Sequence, residues 1–249
     1  MSETDERKFR SAVEDLKQRG GRTLSLVDLI DAGTLSLDSA AYLAARIQEG
    51  ASYFTGAVPG GAGKTTILAA LLAAVPPGEP IVTVSGESVL DRTHDGRVTW
   101  LVHEVQNAMY YAYLWGPAVS EFFDKASRGD RIVSCMHADD LPQMARILGS
   151  PPNGVTPDQL LELDLILFLR MTGGRGGTLR RVSSVLESDG REHREIFRWD
   201  PGPDEHVAVG QGRADAERVA RCRGALEGLI ATGERDWSAV REGLSDPGG

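Results

Sequence analysis

Apolar positions along the chain fall into short continuous runs separated by longer, more polar stretches, and the two kinds alternate. Ser52 to Ala57, Ile81-Val82-Thr83-Val84, Val98-Thr99-Trp100-Leu101-Val102 and Arg131-Ile132-Val133-Ser134-Cys135-Met136 are short and rich in β-branched or aromatic residues. Each predicts a strand of a parallel sheet buried on both faces. Between them the spacing predicts helices. One runs over 37–49, capped by Ser36 and stopped at Gly50; one over 64–75, ended by Pro76-Pro77-Gly78; one over 105–127, interrupted at Gly116-Pro117. A charged, weakly amphipathic pattern over 5–19 predicts an earlier helix that ends at Gly20-Gly21, followed by the apolar positions Leu24, Leu26, Leu29 and Ile30.

From residue 164 onward the pattern becomes strand after strand. Leu165 to Leu169, Leu179 to Leu186 and Arg194 to Trp199 are divided by the turns Thr172–Gly177 and Ser188–Gly190. This predicts an antiparallel meander that closes the sheet, with the glycine-rich turn a hairpin rather than a ligand loop, since no helix follows it. Residues 213–231, with Val219, Leu226, Leu229 and Ile230, predict a C-terminal helix, and Asp246-Pro247-Gly248-Gly249 is expected to fray. The whole reads as an α/β protein with a mostly parallel sheet, closing antiparallel strands and a C-terminal helical region. Its expected divisions are a short helical lead-in over 1–50, the main domain over 51–210 and a helical tail over 211–249. A ligand would sit beyond the carboxyl ends of the strands.

Composition narrows the partners. A chain of 249 residues can bury a full α/β core. Its net charge of −9 and isoelectric point near 5.1 argue against general binding to nucleic acid or anionic membrane. Cys135 and Cys222 have neither metal nor redox spacing and read as reduced thiols, so the expected compartment is the cytoplasm. The N-terminus lacks the apolar core of a signal peptide, and no apolar run approaches the roughly 18 residues of a transmembrane helix.

The chemistry concentrates in Pro59-Gly60-Gly61-Ala62-Gly63-Lys64-Thr65-Thr66, between a strand and a helix. This is the context of a phosphate-binding P-loop: glycines let backbone N–H groups converge on phosphate oxygens, and the N-terminus of the helix adds positive potential. Lys64 would reach the β and γ phosphates of ATP, and the Thr65 hydroxyl would ligate Mg²⁺. The pattern's first glycine is replaced by Val58, so either the turn tolerates valine or the loop is longer and Gly56 takes that role.

In their order, these pieces resemble the hexameric traffic ATPases of type II and type IV secretion and type IV pili, over residues 23–200. Leu35-Ser36-Leu37 looks like that family's lead-in, and Pro80 to Val84 like the strand that ends in its acidic box. Ser134-Cys135-Met136-His137-Ala138-Asp139-Asp140 is similar to its histidine box, and Leu163 to Leu169 with Arg180 to Glu187 to its closing strands. The resemblance implies a RecA-like core, a hexamer, ATP hydrolysis to ADP and phosphate, and service to an inner-membrane secretion, pilus or DNA-uptake machine. It also implies a nucleotide-sensing role for His137.

Departures cluster around the same chemistry. Ser85-Gly86 stand where the family has two acidic residues, leaving Glu87 as the nearest carboxylate to polarise the attacking water. The Walker B position falls on His103-Glu104-Val105-Gln106, with Glu104 as its carboxylate, or by ungapped counting on Tyr111-Ala112-Tyr113, which has none. Most of the family's N-terminal domain is missing, and Arg92, Arg97, Arg128 and Arg131 read as surface charge rather than as arginine fingers. A second reading is therefore a catalytically degenerate nucleotide-binding regulator or structural partner; a small-molecule kinase would want a lid with clustered arginines that the chain lacks. His94, His103, His193 and His206 have no metal-ligand spacing, and Tyr110, Tyr111, Tyr113 and Trp115 read as core or as a subunit contact.

Overall fold

Three helices precede the sheet. In the computed structural model, which describes residues 3–16, 21–58, 60–174 and 177–245, α1 (Glu3–Asp15), α2 (Leu26–Asp31) and α3 (Leu37–Gln48) lead into β1 (Tyr53–Gly56). Then come α4 (Lys64–Leu71), prolonged by a 3-10 turn, β2 (Ile81–Thr83), β3 (Thr99–Leu101), β4 (Glu104–Val105), β5 (Tyr113–Leu114) and α5 (Ala118–Ser127). β6 (Arg131–Met136), α6 (Leu141–Gly149) and α7 (Pro157–Leu161) finish the crossover part. β7 (Leu165–Gly174), β8 (Gly177–Ser188), β9 (His193–Asp200) and β10 (Glu205–Ala208) form the meander, and α8 (Ala216–Thr232) and α9 (Trp237–Ser245) follow. The expected helix end at Gly20, Pro59, the hairpin tip Arg175-Gly176 and the terminal Asp246–Gly249 lie outside the described residues.

Strand order is β10-β9-β8-β7-β1-β6-β3-β2, with β4 on β6 and β5 on β4. Strands β2, β3, β6, β1 and β7 run parallel, and β7 to β10 antiparallel. The class expected from the sequence, a mostly parallel α/β sheet with closing antiparallel strands and C-terminal helices, is the class observed. Continuous apolar runs form these strands because both faces are covered. Tyr53, Val133, Cys135, Leu165, Leu167 and Leu169 enter one core, with α1 to α4, α8 and α9. Phe54, Ile132, Met136, Ile166 and Phe168 enter the other, with α5 and α6. Alternate residues of a strand point to opposite faces, so a run with no polar partner face must be sandwiched.

Local signals placed several elements as expected. Ser36 caps α3 through a reciprocal bond with Ser39, and Gly50 follows it with a φ of +106°. The helix expected over 105–127 begins only at Ala118. Residues before it form β4 and β5, and the backbone N–H of His103 donates to the Ala112 carbonyl at 2.8 Å. The reason lies in the side chains: Met109, Tyr110 and Tyr111 are consecutive and exposed, so this stretch has no apolar helical stripe to bury. Tyr110 and Tyr111 are accordingly not core residues. Arg131 is not surface charge either; it is fully buried and pairs with Glu79. Among the described residues no helix is long and apolar enough to cross a membrane.

Two histidines fasten the meander. His193 donates from Nε2 to the Leu163 carbonyl at 2.8 Å, and His206 from Nε2 to the Val182 carbonyl at 3.0 Å. Burial lowers the pKa of each below the ordinary 6.5, so the folded protein holds them neutral where the unfolded chain would protonate them. Their contribution to stability is complete above pH 6.5 and is lost as the pH falls through their depressed values. Urea denaturation between pH 7.5 and 5 should show declining stability, and a His193→Gln/His206→Gln variant should show a shallower decline over the same range.

Candidate functional site

The glycine-rich loop leaves β1 at its carboxyl end and enters α4. β1 is tied to that helix by the Tyr53 hydroxyl, which donates to the Leu68 carbonyl at 3.0 Å, and by the Thr55 hydroxyl, which donates to the Lys64 carbonyl at 3.2 Å. Gly61 and Gly63 have φ of +84° and +100°, a backbone only glycine adopts cheaply, and Gly63 is the N-cap of α4. Val58 is not among the non-glycine residues with positive φ. Its N–H donates to Asp139 Oδ1 at 2.7 Å, and its carbonyl lies 2.9 Å from His137 Nδ1. The turn thus tolerates valine. Gly56 serves packing instead, because a Cβ there would lie 2.7 Å from the Ala138 carbonyl oxygen and 2.8 Å from the Phe168 ring.

Three strands deliver one charged cluster. Lys64, 8% exposed, brings its Nζ to 3.4 Å from Glu104 Oε1, and His137 Nε2 lies 3.1 Å from the same oxygen. Both ring nitrogens of His137 are 3.4 Å from Lys64 Nζ. Glu104 is there because the β3 run ends at Val102 and resumes as β4, which pairs with Met136 at the end of β6, one residue before His137. The other carboxylate oxygen accepts a hydrogen bond from the Tyr113 hydroxyl at 2.8 Å. Oε1, although near both the Lys64 ammonium and the His137 ring, is buried with hydrogen-bond geometry to neither.

These groups line a cavity of about 880 Å³ that the loop borders from Gly60 to Thr66, with Gln106, Tyr113 and Arg180 also on its wall. Beside the loop its wall carries a helix N-terminus, the Lys64 ammonium, the Thr65 and Thr66 hydroxyls and the Glu104 carboxylate, with arginines further along it, which suits a phosphate-bearing anion of nucleotide size. Below it, burial and then the Glu104 charge push the Cys135 thiol far up, so it stays protonated; its Sγ contacts the His103 carbonyl at 3.1 Å. Burial lowers the pKa of His103.

Of the residues singled out from sequence, Lys64, Glu104, His137 and the loop from Gly60 to Thr66 meet at this cavity. Glu87 does not; it is exposed on a 3-10 turn, and the cavity wall does not include it. The two candidate Walker B segments turn out to be neighbours, since Glu104 and Tyr113 are paired across β4 and β5. Sequence reasoning quoted Asp139 within the histidine-box stretch and Arg180 within a closing strand but gave neither a place at the loop, which Asp139 reaches at the Val58 N–H and Arg180 at the Gly61 carbonyl. Asp140 caps α6 through the Gln143 N–H at 2.8 Å.

No family model matches the chain. It is similar to the uncharacterized protein MJ0900 of Methanocaldococcus jannaschii, 26% identical over 230 residues that cover 81% of this chain and 42% of that protein. The chain thus spans about two fifths of the length of the curated relative it matches. A solved structure with partial likeness is the VirB11 ATPase of the Brucella suis type IV secretion system in complex with sulphate. Identity is 20%, the TM-score 0.43, and coverage 65% of this chain and 54% of that one.

The crowding at Gly56 gives a stability test. Gly56→Ala should cost about 1–3 kcal/mol by overpacking, read as a lower urea midpoint. Gly60→Ala, where a Cβ meets nothing within 4 Å, should leave the midpoint nearly unchanged.

Proposed function

We propose that the chain binds ATP with magnesium at the carboxyl ends of β1 and β6 and the start of β4, and hydrolyses it to ADP and phosphate. The observation that carries this reading is the buried Lys64–Glu104 contact of 3.4 Å beside the glycine-rich loop. It joins a phosphate-binding ammonium to a carboxylate delivered by a different strand. The loop N–H groups and Lys64 would bind the phosphates, with Lys64 exchanging its contact with Glu104 for one with the ligand. Glu104 would orient the attacking water and accept its proton. His137, which touches both the Val58 carbonyl and the Glu104 carboxylate, would sense loop position.

Magnesium fits the donors present. The Thr65 hydroxyl and the Glu104 carboxylate are hard oxygen ligands, and the buried Oε1 without a hydrogen bond is an acceptor suited to a metal-held water. When bound, the ion would neutralise phosphate charge. Tyr113 fixes the carboxylate by its 2.8 Å bond.

The traffic-ATPase motifs support a cytoplasmic role in a secretion, pilus or DNA-uptake machine, as a hexamer working with inner-membrane machinery proteins. They support assigning the nucleotide domain to 51–210, between the lead-in and the helical tail. One observation favours a second reading, a regulator that binds without turnover. Among the described residues the cavity wall holds two carboxylates, Glu104 and the Arg22-bound Asp28, while Glu87 is elsewhere.

Phosphate release decides between them. Lys64→Ala should abolish ATP binding and release together. Glu104→Gln should still bind ATP and release phosphate about 10²-fold more slowly or worse. If the wild type binds ATP yet releases no more phosphate than Lys64→Ala, turnover is lost and the regulator reading stands.

A further inference from the structure

Among the described residues, four cationic side chains line the cavity: Arg22, Lys64, Arg180 and Arg181. Three are matched by carboxylates. Arg22 makes a two-pronged pair with Asp28, at 2.6 and 2.5 Å. Arg181 makes another with Asp204, at 2.8 Å for both prongs. Lys64 faces Glu104. Arg180 differs: its Nε donates to the Gly61 carbonyl at 3.0 Å, and among the described residues no carboxylate pairs with it. Its stem covers the loop, with Cδ 3.5 Å from where a Cβ on Gly63 would stand. The guanidinium is therefore tethered to the loop by one nitrogen while its terminal nitrogens keep their donors for another acceptor.

Resting on the nucleotide reading above, we infer that Arg180 is the second phosphate-binding cation of the site, supplied by the same chain, and that it recognises the terminal phosphate of ATP. Charge sets the need. The protein carries a net −9, and Glu104 offsets Lys64, so the additional charge that distinguishes ATP from ADP calls for a cation without a competing carboxylate. A guanidinium presents a planar fork of donors that matches phosphate oxygens. Its position on β8 explains how a site lacking an arginine finger among Arg92, Arg97, Arg128 and Arg131 still acquires one beside the loop. The neighbouring Arg181 is excluded, because Asp204 and the Ala32 carbonyl already occupy it.

The test compares ATP and ADP binding, both with Mg²⁺, by calorimetry on the full chain. Arg180→Met keeps the stem over Gly63 and removes the charge. It should weaken ATP about tenfold or more and ADP by less than about threefold, since a charge-assisted hydrogen bond to the terminal phosphate is lost. Arg180→Lys, which restores the charge without the planar fork, should recover only part of the ATP affinity lost in Arg180→Met. Equal weakening of both nucleotides would mean that Arg180 only tethers Gly61 and would overturn the inference, as would no weakening of either. In those cases Lys64→Ala would still abolish binding and the site reading would survive. A wild type that binds neither nucleotide would sink the site reading and this inference with it.

Discussion

The buried guanidinium of Arg131 organises the end of the sheet opposite the site. It stands at the start of β6, wholly shielded from solvent, pairs with Glu79 ahead of β2 and touches the Thr99 hydroxyl at the start of β3. It also donates to the carbonyls of Ile47, near the end of α3, and Ala51, just before β1. A charge without water must find donors' partners on every side, and here those partners are the beginnings of successive elements. Fixing where the parallel strands start fixes where their carboxyl ends stop. The loop, Glu104 and His137 are aligned at one end because Arg131 aligns the other.

At the site itself, Lys64 and Glu104 face each other at 3.4 Å. Lys64 is buried, and a buried ammonium needs a compensating partner; Glu104 and the His137 ring stand within reach. The same carboxylate is tethered by Tyr113 and left with one oxygen unsatisfied. Under the nucleotide reading proposed above, phosphate entry would be an exchange of partners for Lys64. Little electrostatic work is needed beyond moving one flexible lysine.

Much of this was legible in the sequence because it rests on local pattern. Continuous apolar runs pointed to strands covered on both faces, and Gly63-Lys64-Thr65 between an apolar run and a helix-forming run pointed to a turn that enters a helix, whose N-cap is Gly63. Glu104 was legible as the polar residue that follows an apolar run. Other features depend on chain segments far apart. Nothing near Arg131 reveals Glu79 as its partner, so burial of that charge was invisible. The stretch from Glu104 to Leu114 has no apolar stripe to bury as a helix, but that it pairs as β4 and β5, with β4 on β6, depends on partners far along the chain. Arg180 reaches the loop by the register of a hairpin, which a single sequence does not specify.

Gly56 has a consequence beyond its own packing. Each strand buried on two faces has an apolar residue at nearly every position, so hydrophobicity alone distinguishes poorly between the correct pairing and one shifted by a residue. In β1 a shift would bring Thr55 or Ala57 to the place beside the Ala138 carbonyl and the Phe168 ring, and each carries the Cβ for which there is no room. The absent side chain thus acts as a register key. It lets β1 seat between β6 and β7 in one alignment, and so sets the distance from which the loop begins.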